Sequence, residues 1–160
     1  MKTFVLTVSR TFPKTHKRSG EETGFCHKIA CAVFCAGDCE ECDFHKPKLH
    51  TIRGNYELWL KRAEMINKGE AVLSIRYWSD KPYRSKQVEL YEISEIGVQK
   101  LNFKFNDICY PVVDNNTDST SVFDQLHKND GLEWEDFKEW FKGYDLSKPM
   151  AIIHFTPFRY

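Results

Sequence analysis

Between Glu70 and Val113 the chain passes through four short strand-like stretches with almost nothing between them. "EAVLSIRYW" and "KQVELYEISEI" are rich in β-branched and aromatic residues, and "SDKPYRS", a turn with Pro at its centre, joins them. "GVQKLNF" and "DICYPVV" follow after equally short breaks and continue the sheet. Parallel neighbours need a connection of a dozen or more residues, so strands this close must pair as antiparallel hairpins. That block of hairpins is what any fold for this chain has to accommodate.

The flanks read differently. "TFVLTVS" (Thr3 to Ser9) alternates Phe4, Leu6 and Val8 with more polar positions and predicts an opening strand. Ser19 with Glu22 three residues on fits a capping box. Phe25, Ile29, Ala32, Val33 and Ala36 then recur at helical spacing, with Gly37 as the stop. "NYELWLKRAEMINKG" predicts a second helix. "SVFDQLHKNDGLEWEDFKEWFKG" predicts a helix, a break at Asp130-Gly131, and an amphipathic helix with Leu132, Phe137 and Phe141 on one side. "MAIIHFTPF" closes as a strand. The expectation is a single α+β domain over residues 1–160, its short strands buried by curling into a small, partly closed barrel.

Composition bounds the function. The chain has 160 residues, 41% of them hydrophobic and 29% charged, which suits one packed domain and leaves no case for wholesale disorder. Its 23 basic and 23 acidic residues cancel, so any nucleic-acid or nucleotide binding must come from a local patch. No apolar run approaches the roughly 20 residues of a membrane span, and the apolar part of "MKTFVLTVSR" is short for a signal peptide. The expected location is the cytoplasm, with no membrane partner.

Five of the six cysteines fall between Cys26 and Cys42, which in a reducing compartment points to metal binding or plain thiols rather than a disulfide framework. Cys35, Cys39, Cys42 and His45 could complete a zinc tetrahedron, and Asp38, Glu40 and Glu41 make that loop acidic. A strong zinc signal needs two Cys-x2-Cys pairs, and the chain has one. No other cofactor is called for.

The chemistry concentrates in "KPKLHTIRGNY", Lys46 to Tyr56. On a strand Thr51 and Arg53 share a face and Lys48 does not, so Lys48 reaches Thr51 only from the turn before the strand, where Pro47 places it. A Thr hydroxyl becomes a nucleophile when a base takes its proton, and Lys is a base only when neutral. Burial or a neighbouring cation (Arg53, Lys46 or His50) would bring a Lys to that state. The competing reading is a solvated strand with charges for solubility. A second cluster, "RYWSDKPYRSK", interleaves Arg76, Arg84 and Lys81 with Trp78 and Tyr83 around a hairpin turn, suiting phosphate contacts with base stacking. Lys14, His16, Lys17 and Arg18 form a third basic stretch, while His127 and His154 read as structural or surface residues.

"KLHTIR" (Lys48 to Arg53) resembles the Lys-x-x-Thr-x-Arg signature of ASCH domains, which share the PUA-like β-barrel fold. "NDGLEWEDFKEWF" is similar to the acidic-Gly-apolar segment and helix near the end of those domains, and "MAIIHF" to their closing strand. The resemblance implies a PUA-like barrel with flanking helices and a Cys-rich helix-loop insertion at about residues 24–46. It implies RNA, or a small molecule containing a nucleobase, as partner. The small bacterial members deacetylate N4-acetylcytidine. By that resemblance Thr51 would be the nucleophile, Lys48 its activator, Arg53 a ligand-binding group, and Asp130 the acid where the enzymes carry Glu. Arg76, Trp78, Tyr83 and Arg84 would complete the ligand surface. The alternatives are a non-catalytic nucleic-acid-binding module and a protein-interaction domain.

Overall fold

A computed structural model describes residues 1–35, 40, 46–105, 109–115 and 119–160. In chain order its elements are β1 (Lys2–Thr7), α1 (Phe25–Ala30) continued by a π-helical turn (Cys31–Cys35), β2 (His50–Gly54), α2 (Tyr56–Asn67), β3 (Ala71–Trp78), β4 (Gln87–Ile93), β5 (Gly97–Phe105), β6 (Cys109–Val113), α3 (Ser119–Asn129), α4 (Trp134–Phe141) and β7 (Met150–His154). The protein is α+β.

The strands form two sheets. The first has the order β1-β3-β4, with β1 parallel to β3 and β3 antiparallel to β4. The second has the order β2-β7-β5-β6, antiparallel throughout. Among the described residues the strands do not close into a barrel. The run of hairpins expected to continue one sheet instead divides between β4 and β5. The reason lies at the far end of the chain: all five residues of β7 are buried, so its backbone groups need partners on both edges, and β2 and β5 supply them.

The second sheet lies between two cores. Ala151 and Ile153 pack with Phe4, Leu6, Leu73 and Ile75 of the first sheet and with Trp59 and Ile66 of α2. Ile52 and Ile152, on the other face, join Leu126 of α3 and Phe137 and Phe141 of α4. The strand carrying the Lys-x-x-Thr-x-Arg motif is thus held on both faces.

Two local expectations need correcting. The Ser19-Glu22 pair does not start α1, because Gly24 sits in the left-handed region (φ 71) and the helix opens after it. Thr23 is the residue that matters there, its hydroxyl donating to the Ser9 carbonyl (2.7 Å) while accepting from the Phe25 amide (3.2 Å). The helix then widens into the π-helical turn, so the helical run expected from Phe25 continues through Cys35 with a change of helix type, while Ala36 and Gly37 lie outside the described residues. No helix is long and apolar enough to cross a membrane among the described residues.

Candidate functional site

Helix α3 ends in a turn that aims Asp130 at β2. The amides of Asp130, Gly131 and Leu132 donate back to the carbonyls of Leu126, Lys128 and His127 at 2.9–3.0 Å. Gly131 adopts φ +79, and a Cβ there would stand 3.2 Å from the Lys48 Cβ. The glycine therefore permits both the turn and the close approach of Lys48. On the other side, the Lys48 amide donates to the Lys28 carbonyl (2.9 Å) and the Leu49 amide to the Asn129 carbonyl (2.8 Å). These bonds fix Lys48 in the irregular segment just before β2, ahead of the strand as the sequence reading required, though that segment is not a turn.

Lys48 is 1% exposed and Asp130 4%. The ammonium meets Asp130 Oδ1 at 2.7 Å, also donates to the Asp130 main-chain carbonyl, and stands 4.3 Å from the centre of the Phe25 ring. Burial pulls the Lys48 pKa down to about 8, with Asp130 opposing. Burial raises the Asp130 carboxyl, but Lys48 and His50 outweigh it and hold the group below its ordinary value. The result is a desolvated ion pair whose cation gives up its proton more readily than a free lysine does.

Thr51 and Arg53 share the expected face. The Arg53 guanidinium donates to Thr51 Oγ1 (3.1 Å), to the Ile52 carbonyl (2.9 Å) and to the Thr7 carbonyl of β1 (2.7 Å). Lys48, Thr51, Arg53 and Asp130 together line one recess, walled by Phe25 and Trp140. Its volume is about 20 Å³, room for about one water molecule. Lys48 and Thr51 are not hydrogen-bonded to each other among the described residues, so the base-to-nucleophile contact is not made in this arrangement.

His50, counted from sequence as a neighbouring cation, is not one, because burial lowers its pKa. Asn129 Nδ2 donates to the Tyr160 hydroxyl (3.0 Å), which leaves that hydroxyl to donate to His50 Nε2 (2.7 Å). The proton of His50 then sits on Nδ1, 3.7 Å from Asp130 Oδ1. Lys46 is exposed and paired with Glu133 at 3.0 Å, so it does not depress Lys48 either. Nothing in the sequence marked Tyr160 or Asn129; their roles depend on the chain end and the end of α3 meeting beside β2.

The remaining candidates lie elsewhere. Arg76, Trp78, Tyr83 and Arg84 do not line the recess. Arg76 is turned to Ser74 (2.7 Å) and Glu89 (3.5 Å), Trp78 packs on Tyr83 at 5.3 Å between ring centres, and Tyr83 and Arg84 are exposed. In the third basic stretch His16 is buried, its ring bonded to the Asp136 carbonyl (3.2 Å), and Arg18 pairs with Asp136 at 2.6 Å. Of the zinc candidates, Cys35 ends the π-helical turn, and Cys39, Cys42 and His45 lie outside the described residues. His154 is fully buried, and neither ring nitrogen has a hydrogen-bond partner among the described residues. Set against known proteins, the chain has no match among family models, curated proteins or solved structures.

Proposed function

We propose that this protein is an ASCH-like domain, its two sheets an opened form of the PUA-like barrel, that recognises RNA or a nucleobase-containing ligand over the recess of Lys48, Thr51, Arg53 and Asp130. The observation that carries the reading is that Lys48 and Asp130, 82 positions apart, meet as a desolvated pair beside Thr51 and Arg53. Desolvated ionic groups converging on a recess are costly to maintain, and such clusters concentrate at functional sites. A recess of about 20 Å³ takes about one heavy atom, so the ligand body, any acyl group included, lies at the mouth and a single exocyclic amino or carbonyl group enters.

Hydrolysis of an acyl-amide on a modified base is the second reading. It draws support from a Lys with a pKa of about 8 lining the same recess as a Thr hydroxyl. In it Lys48 takes the Thr51 proton and Thr51 attacks the acyl carbon, with Asp130 holding the lysine in place. The C–N bond then breaks as that proton passes from Lys48 to the departing amino group of the base. Water hydrolyses the acyl-Thr51 ester to free the carboxylic acid and restore the Thr51 hydroxyl.

The test is a titration of N4-acetylcytidine and of short single-stranded RNA at low salt, with acetate release followed in parallel. Saturable binding that weakens at least tenfold in Arg53→Lys, and for RNA also with added salt, is the expected result. Acetate release lost in Thr51→Val would extend the reading to catalysis. Absence of saturable binding to both probes would overturn it.

A further inference from the structure

A second cavity, of about 360 Å³, lies between the second sheet and helices α3 and α4. That is within the range of about 300–1,000 Å³ typical of small-molecule sites, and toward its lower end. Phe103 of β5 and Pro111 of β6 form one wall, Phe123 and Leu126 of α3 another, and Trp134 and Phe137 of α4 a third. Water in such a space finds few hydrogen-bond partners and gains by leaving.

The polar lining is of one sign. Lys138 and Lys142 both line the cavity, and no acidic side chain does among the described residues. Lys138 lies in the last turn of α4 and Lys142, four residues on, is its C-cap with helical backbone angles, so the two lysines stand one above the other on one face. Each has an acidic neighbour outside the cavity: Lys138 pairs with Glu135 at 2.8 Å and Lys142 with Glu139 at 4.0 Å. Lys138 also lies over the Trp134 ring at 5.4 Å. Both lysines are exposed, and ion pairs at the surface contribute little to stability, so an incoming anion can compete for either lysine. Asp136, the buried acid of the helix, is engaged with Arg18 and His16 and does not line the cavity.

We propose that this cavity is a binding site for a single-chain amphipathic carboxylate of medium length. Its apolar chain fills the space between the sheet and the helices, and its carboxylate meets Lys138 and Lys142. The site is independent of the Lys48 recess, although Phe141 lines both cavities, and for that reason Phe141 is left unchanged in the test.

Calorimetric titration of the full chain with decanoate, kept below its micellar concentration, tests the proposal, with 1-decanol as the uncharged control. One-to-one saturable decanoate binding is expected, accompanied by a change in Trp fluorescence that disappears in Trp134→Phe. The doubly substituted Lys138→Glu, Lys142→Glu protein, altered only at exposed positions, should bind decanoate at least tenfold more weakly and 1-decanol unchanged. No saturable decanoate binding would overturn the site. So would binding that leaves Trp134 fluorescence untouched. Equal affinity of the unsubstituted protein for decanoate and 1-decanol, or unchanged decanoate affinity after charge reversal, would overturn the assignment of an anionic ligand.

Discussion

Lys48 Nζ lies 2.7 Å from Asp130 Oδ1, and neither side chain is more than 6% exposed. The pair joins the segment before β2 to the end of α3. Removing one partner of a buried pair strands the other as an uncompensated charge, which costs about 3–5 kcal/mol, whereas replacing both with apolar groups is often neutral. Asp130→Leu should therefore lower the stability measured by urea unfolding by that amount, and Lys48→Met with Asp130→Leu should restore most of it. A double variant as unstable as the single one would mean that the pair does not act as a unit.

Titration of Lys48 gives stability a pH slope of known sign. Its pKa is about 8 when folded against 10.5 for a free lysine, so between those values the unfolded chain binds more protons. Stability contributed by this group is then lowest below pH 8 and rises as pH increases toward 10.5. The Lys48→Met, Asp130→Leu protein should lack this component, so the wild-type stability minus that of the double variant should rise between pH 8 and 10. A difference that stays flat or falls across that window would contradict the assignment.

His154 is buried opposite His50, their ring centres 5.3 Å apart, with no partner for either nitrogen among the described residues. Burial lowers its pKa, so the folded state resists its protonation and loses stability as pH falls below the usual histidine range. An unpaired buried polar group costs about 1–3 kcal/mol. His154→Leu should raise the thermal midpoint at neutral pH and flatten the acid side of the stability curve. A lower midpoint would indicate that the imidazole is satisfied by a group such as an internal water.

Gly131 should tolerate no side chain. Its φ of +79 and the 3.2 Å approach to Lys48 Cβ both oppose a Cβ, and a non-Gly residue held in that backbone region costs of order 1–3 kcal/mol. Gly131→Ala should destabilise by at least that amount. The same substitution at Gly69, also at positive φ but with open space around it, should cost less. Equal losses at the two positions would show that crowding against Lys48 contributes nothing.

Local pattern carried a good deal of this protein. The β-branched and aromatic content of "EAVLSIRYW" and "KQVELYEI" located β3 and β4, and the spacing of Trp59 and Ile66 located α2. Asp130-Gly131 marked the break between α3 and α4, because Gly at positive φ closes a helix whatever surrounds it. Residue spacing also put Thr51 and Arg53 on one face, since the two-residue period of a strand is local geometry.

Partnership and burial were decided elsewhere. The parallel pairing of β1 with β3, and the insertion of β7 between β2 and β5, join segments far apart in the chain, and no local pattern encodes such pairings. Lys48 and His50 looked like surface charges because Lys and His usually are; they are buried because the end of α3 and Tyr160 close over them. The same closure made Lys48 a partner of Asp130 and turned His50 from an expected cation into a neutral ring. Sequence named the residues of the recess, while their desolvation, and with it their proton affinities, came only from the packing of distant segments around β2.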